Sequence, residues 1–302
     1  MTQATCRFCG VALDGPPALR VGDRNRRITG EVFDYLRCRA CSTLFIPQVP
    51  EDLARYYPND YHGFATLAEL DANAAVHEAP KLALITEHVP PAGSLIEIGP
   101  GSGSFARAAR NAGFTVTGIE MDERCCEYLE SVAGVAAIHS DDPAAALANV
   151  PPAQVIAMWH VLEHVPDPLA VLGAAAARLD DGGLLIIAMP NPQALGFRLL
   201  RGRWAHIDAP RHLSLIPFAA LRGTAATLGL SLVSVTTSDP AGRDWNRFAW
   251  EYALRRVPGS RPPTRSVRLL SRAIATAFAP VERRGLQGAT YTALFAKSGP
   301  GA

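Results

Sequence analysis

SLIEIGPGSGSFARAARNAG, residues 94–113, is the stretch that decides the fold. SLIEIG (94–99) is a short apolar run that stops in glycine, and SFARAARNAG (104–113) follows it with helical spacing and a glycine stop. A strand that turns through glycines into a helix leaves its backbone open to a ligand at the carboxyl end of the strand. Outward from this unit the alternation repeats. TVTGIE (115–120), VAAIHS (135–140), QVIAMWH (154–160) and GLLIIAMP (183–190) read as strands, with helical patterns at 122–132 and in DPLAVLGAAAARL (167–179). Continuous apolar strands that alternate with helices imply a parallel sheet covered on both faces. A loop of about 25 residues (191–216) is expected next, then a helix (217–229) and the strand LSLVSVTT (230–237). Two helices within 241–285 and a last strand, ATYTALFAK (289–297), complete the α/β pattern.

Glycines alone do not name the ligand. Gly101-x-Gly103-x-x-Ala106 fits a dinucleotide fingerprint as well as it fits anything else. Glu97 separates the readings. A carboxylate inside the strand, beside Gly99 and Gly101, repels a pyrophosphate but suits a ligand that carries a sulfonium and an ammonium. Glu120, at the end of the second strand, stands where an acid can accept both hydroxyls of a ribose. Asp141, just past the third strand, is placed to meet an adenine amino group, and Asp142 competes with it for that role.

Glu97-Ile-Gly99-Pro-Gly101-Ser-Gly103, GIEMD (118–122) and MWHVLEHVPDP (158–168) together resemble the class I S-adenosylmethionine-dependent methyltransferases. They are most similar to the branch with the ubiquinone-pathway O-methyltransferases and many bacterial sugar and natural-product methyltransferases. The resemblance spans roughly 90–240. It implies a Rossmann-like, seven-stranded, doubly wound sheet whose last strand is antiparallel. It also implies that Glu97, Gly99 and Gly101 hold the methionine part of the cofactor, Glu120 the ribose and Asp141 the adenine. Gly103 and Trp159 complete the expected cofactor contacts.

His160-x-x-Glu163-His164 follows the fourth strand, and so lies at the same sheet edge; His212, in PRHL, ends the long loop. This group resembles the Glu-x-x-Glu-His plus distant His pattern of small-RNA 2′-O-methyltransferases, with His160 where that pattern has Glu. Three readings stay open: structural histidines, a metal-free general base, and a second divalent-metal site, for which His160 favours an ion softer than magnesium.

Residues 1–46 hold a second motif, Cys6-x2-Cys9 … Cys38-x2-Cys41. Two such pairs make a tetrahedral thiolate site, and four cysteine ligands leave no open position, so a structural Zn2+ ribbon is expected. Arg20, Arg24, Arg26 and Arg27 lie within it, interleaved with Asp14, Asp23, Glu31 and Asp34, which reads as a solvated face more than a phosphate grip. Cys125-Cys126 reads as packing plus a spare thiol. The expected organisation is therefore a zinc ribbon (1–46), an aromatic and helical cover segment with Tyr56, Tyr57 and Tyr61 (47–90), a cofactor-binding core (91–240), and a helical cap with the final strand (241–302). In the cap, Val267, Leu270, Ile274 and Phe278 form a stripe that suits a helix packed on the sheet, with a lid, a dimer contact or a membrane-surface helix as alternatives. Trp204 and Arg211 are expected to line the substrate pocket.

Composition sets the outer bounds. Apolar residues are 48% and charged residues 19%, enough for an ordinary core, and a net charge of +1 gives no general attraction to nucleic acid. No apolar run approaches the ~18 residues of a membrane span, and MTQATCRFCG lacks the charged head and apolar stretch of a secretory signal, so a cytoplasmic location is expected. Between Arg243 and Gly285 ten arginines face three acids, a field that would suit an anionic or carrier-linked small-molecule acceptor. The leading expectation is a methyltransferase that acts on a hydroxyl of a sugar or secondary metabolite. A zinc-ribbon adaptor with a non-catalytic cofactor domain and an NAD-linked oxidoreductase are the alternatives.

Overall fold

The computed structural model describes residues 4–255 and 263–299. Five short strands come first: β1 (Ala4–Thr5), β2 (Ala12–Leu13), β3 (Leu19–Gly22), β4 (Val32–Arg37) and β5 (Leu44–Phe45). Helix α1 (Leu67–Asn73) runs through a π-helical turn into α2 (Ala79–Thr86). The alternating region then reads β6 (Ser94–Ile98), α3 (Ser104–Asn111), β7 (Thr115–Glu120), α4 (Glu123–Tyr128), β8 (Ala136–His139), α5 (Pro143–Ala148), β9 (Ala153–Trp159), α6 (Pro168–Arg178) and β10 (Leu179–Pro190). After it come α7 (Leu195–Leu200), β11 (Ser214–Leu215), α8 (Phe218–Thr227), β12 (Leu230–Thr236), α9 (Pro240–Leu254), α10 (Arg265–Glu282) and β13 (Thr290–Lys297).

Helix starts are chemically marked. Asp142, Asp167 and Asp239 each stand before a proline and accept a backbone N–H of the first turn of α5, α6 and α9. An aspartate cap followed by proline satisfies one free donor and removes another.

The main sheet has seven strands in the order β12-β13-β10-β9-β6-β7-β8. Strands β6 to β10 pair in parallel, and β13 is antiparallel to both neighbours, β10 and β12. The expected doubly wound sheet with an antiparallel last strand is the fold observed. Alternation along the strands divides the core in two. Ile96, Ile98, Met158 and Phe295 face one layer with α5, α6 and α8; Leu95, Val155 and Ile186 face the other, with α1 to α4.

Three expectations change. The segment 191–216 is not a bare loop, because α7 and β11 lie within it. Gly196 lets α7 approach Trp204 closely, and β11 is only two residues long with its partner, β5, some 170 positions earlier, so neither carries a local signal. Helix α10 packs on α9 rather than on the sheet, with Phe278 stacked on Trp250 and Leu269 and Leu270 exposed. The ribbon is not set apart: β11-β5-β4-β3 form one sheet, and Cys6, Phe8, Cys38 and Phe45 share a buried cluster with Met158 and Ile216 of the core. Arg256 and Arg261 of the arginine-rich cap lie outside the described residues. Among the described residues no helix is long and apolar enough to cross a membrane.

Phe295 is fully buried in β13. Phe295→Ala is expected to lower stability by about 3–5 kcal/mol, read from the urea midpoint.

Candidate active site

Parallel pairing brings the ends of β6, β7, β8 and β9 to one edge. At the end of β6, Gly99, Gly101 and Gly103 all have positive φ (67°, 54° and 74°). A Cβ at Gly99 would lie 2.6 Å from Val161 Cγ2, and one at Gly101 would meet the His62 ring at 2.9 Å. The loop is therefore glycine by necessity, both in backbone and in space.

Glu97 lies in β6 and is 3% exposed, and its Oε2 has no hydrogen-bond partner. Burial pushes its carboxyl up to about 8, against a partial pull downward from Lys81. A buried acid left in this state is a receptor for a cation. Lys81 itself sits beside the site, paired to Glu78 at 2.6 Å, with its Nζ 4.9 Å from the centre of the Trp159 ring. Glu120 accepts from the N–H groups of Gly101 (2.9 Å), Met121 (2.8 Å) and Asp122 (3.0 Å), so in this structure it holds the glycine loop. Asp142 caps α5, which leaves Asp141 exposed at the end of β8 as the nearer candidate for a base contact. Trp159 is half-buried, meets Phe105 edge to face at 5.1 Å, and its indole N–H has no partner. An orphaned buried carboxyl, a glycine cradle and acids at successive strand ends fit S-adenosylmethionine, and Glu97 offers a diphosphate no positive partner.

A second cavity, about 360 Å³, lies beside this edge. His160, Glu163, His164, His206 and His212 line it, with Trp245 and Phe248 of α9 opposite. Not all four expected donors converge. The ligand atoms of Glu163, His164 and His212 lie within 4.8 Å of one another. His160 stands off, with its Nδ1 3.5 Å from Glu163 Oε1 and its ring against Trp245. His160 comes directly after β9 with a left-handed backbone, φ 59°. Glu163 is fully buried and neither carboxylate oxygen has a hydrogen-bond partner. Burial raises its carboxyl, but His160, His164 and His212 outweigh that and the net shift is downward. His212 Nδ1–H donates to the His206 carbonyl at 2.9 Å, so its Nε2 lone pair stays free. His164 Nδ1 lies between the Tyr57 hydroxyl (2.9 Å) and the Arg211 carbonyl (3.1 Å), and burial with His212 nearby holds this imidazole down to about 4.

Sequence reasoning placed two residues wrongly here. Trp204 and Arg211 lie behind the cavity wall and not on it; Trp204 packs on His206, and Arg211 is fully buried in ion pairs. It missed others. Asn25 and Arg26 of the ribbon line the cavity, as do His206, Tyr252 and Arg255. Of these, the sequence marks Arg26 only as one of a solvated set and Tyr252 only as one position of a helical stripe with Trp245 and Phe248. The cap arginines Arg243, Arg247, Arg272 and Arg283 instead line a separate cleft between α9 and α10. Cys125 and Cys126 are buried thiols pushed up to about 12 and 11 by burial, which makes them poor nucleophiles.

In the ribbon, the four sulfurs of Cys6, Cys9, Cys38 and Cys41 converge within 4.8 Å. The Cys6–Cys41 and Cys9–Cys38 separations are 3.7 and 3.5 Å. The edge of a tetrahedron with Zn–S bonds of 2.3 Å is about 3.8 Å, so the donor set has the size and chemistry of a zinc site.

Comparison with known proteins agrees with this geometry. The methyltransferase-domain family matches residues 67–235. This chain belongs to that family. Among curated relatives, a ubiquinone biosynthesis O-methyltransferase of Stutzerimonas stutzeri is 34% identical over 42% of this chain and 58% of the relative. One of Ralstonia nicotianae is 29% identical over 65% of this chain and 89% of the relative. The chain thus spans little more than half the length of the first of these relatives. Among solved structures, a SAM-dependent methyltransferase from Archaeoglobus fulgidus covers 76% of this chain and 94% of its own, at 16% identity and a TM-score of 0.51, a likeness of fold.

Gly99→Ala forces a side chain into a left-handed backbone and against Val161. The expected loss is about 1–3 kcal/mol, seen as a lower thermal midpoint, with donor binding lost in the same variant.

Proposed function

We propose that this protein transfers a methyl group from S-adenosylmethionine to a hydroxyl of a small molecule, and that the histidine-lined cavity receives the acceptor. The observation that carries the reading is Glu97, a buried carboxyl with an unpartnered oxygen at the glycine turn. Bound there, the cofactor would supply an electrophilic methyl group on a sulfonium. Glu97, Gly99 and Gly101 would hold its methionine part, Glu120 the ribose and Asp141 the adenine.

The acceptor's hydroxyl must lose a proton as its oxygen forms the new bond to carbon, while the carbon–sulfur bond breaks with its electron pair left on sulfur. His212 Nε2 is the free base on the cavity wall, and Glu163 is the buried anion that favours a proton on the imidazoles around it. His160 and His164 flank it. Sequestration from water and placement of the nucleophile in line with the methyl group carry the remaining rate. One observation favours a second reading for the same group. A fully buried carboxylate without partners beside two imidazoles is also the donor set of a divalent metal, which when bound would help the hydroxyl lose its proton by lowering its pKa. Arg26, exposed and lining the cavity, supports an anionic or carrier-linked acceptor, and a sugar or secondary metabolite is the class proposed.

Calorimetry with S-adenosylmethionine tests the donor site. The carboxyl of Glu97 is raised to about 8, so at lower pH it is largely neutral and a bound cation must drive its proton off. Affinity is expected to rise about tenfold per pH unit between roughly pH 6 and 8, and Glu97→Gln should flatten that slope. A pH-independent affinity in the unaltered protein, or tight binding of NAD instead, would overturn the reading.

The ribbon is proposed to hold structural zinc through Cys6, Cys9, Cys38 and Cys41. Elemental analysis should return about one zinc per chain. A second equivalent, lost on Glu163→Gln, would select the metal reading of the histidine group.

A further inference from the structure

Among the described residues the best-buried ion pair, Arg211–Asp23, joins the ribbon to the histidine segment. Arg211 Nη2 lies 2.8 Å from Asp23 Oδ1 and 2.5 Å from Asp208 Oδ1, and the side chains of Arg211 and Asp23 are both fully buried. Arg211 Nη1 also donates to the Tyr56 carbonyl. Burial alone lowers a guanidinium's affinity for its proton, but the two aspartates outweigh it and the net shift is upward. Removing either aspartate would therefore leave a charge with incomplete compensation next to His212.

Other contacts converge on the same segment. Asn25 donates to the Ala205 carbonyl, Tyr35 Oη donates to the His212 carbonyl at 2.8 Å, and the Ile46 N–H donates to the Leu213 carbonyl. Asp23 is itself fixed: it accepts from the N–H groups of Arg26 and Ile28 at the tip of the β3–β4 hairpin. The four thiols lie at the other end of that hairpin, and there Arg7 grips the carbonyls of Ile46, Pro47 and Pro166, the last two residues beyond His164. The hairpin is thus held at its base by the cysteine cluster and at its tip by Arg211, and Arg26, exposed at that same tip, lines the cavity.

We infer that the ribbon is part of the acceptor site: Arg211 is a positioning residue that, through Asp23, makes the arrangement of His206 and His212 depend on zinc in the ribbon, while the donor site does not depend on it. The inference rests on the proposed assignment of the histidine cavity to the acceptor. Physically, zinc on the four thiols would tie the end of β4, at Cys38 and Cys41, to the Cys6–Cys9 turn; β4 pairs with β3, the hairpin holds the buried carboxylate of Asp23, and that carboxylate holds the guanidinium next to the base. Among the described residues no ion pair joins the donor site to the hairpin: Glu97, Gly101 and Glu120 are held by the main sheet and by one another, and the ribbon meets β6 only through apolar packing on Ile96 and Ile98.

Hydrogen exchange read by mass spectrometry tests this without an acceptor. The full-length, zinc-loaded protein is compared with Asp23→Asn, and with the unaltered protein after zinc extraction and after zinc is returned. Peptides covering 204–216 should exchange at least about tenfold faster in the variant and after extraction, and recover on zinc return. Peptides covering 94–110, and affinity for S-adenosylhomocysteine, should change less than about twofold. Unchanged protection of 204–216 in both cases, or equal loosening of 94–110, would overturn the inference. Should Asp23→Asn fail to fold, the extraction and return series decides alone. Failure of the unaltered protein to bind S-adenosylhomocysteine would sink the proposed function, whatever the exchange of 204–216 shows.

Discussion

Parallel pairing of β6, β7, β8, β9 and β10 is the constraint from which the chemistry follows. Strands that run the same way must each end at the same edge, and the segments leaving them must begin there. Gly99, Glu120, Asp141 and His160 lie far apart in sequence, yet each comes directly at or after a strand end. No long-range recognition between them is needed to gather them. The sheet supplies the meeting place, and local chemistry at each end supplies the function.

What the edge gathers are charges in poor solvent. Glu97 and Glu163 are both buried, one in a strand and one just after, and both have carboxylate oxygens without partners. Their surroundings differ. Glu97 faces an apolar layer with a lysine at a distance and is driven toward its neutral form; Glu163 is ringed by imidazoles and is held as the anion. Two acids of one type, a few residues from the same sheet edge, are thus set for different tasks by their neighbours alone: one to receive a positive ligand, one to stabilise positive charge on a ring.

Much of this was legible in the sequence, and the reasons are local. Period and apolar runs mark the strands, Asp-Pro marks helix starts, and the paired cysteines mark the ribbon by spacing. The glycine turn and Glu97 are adjacent in sequence, so their joint meaning is visible there. Less visible was whatever depends on contacts across long stretches. Asp23 and Arg211 are 188 positions apart, and nothing near either shows that they meet. Arg26 reads as one charge in a mixed surface run, because its place on the cavity is decided by where the hairpin tip lands. His160 departs from the expected motif, and its ring packs on Trp245 and reaches only Glu163 of the trio it was grouped with.

The insertion of β13 between β10 and β12 bears on where this domain can be cut. The family match closes at residue 235, one residue before the end of β12, yet the strand that β12 hydrogen-bonds to lies at 290–297. A polypeptide trimmed to the matched span would leave β10 and β12 facing each other across an empty lane one strand wide, with both ladders open. It would also lack the hairpin that closes one wall of the cavity. The stretch that homology recognises is therefore smaller than the stretch that can stand as a folded unit.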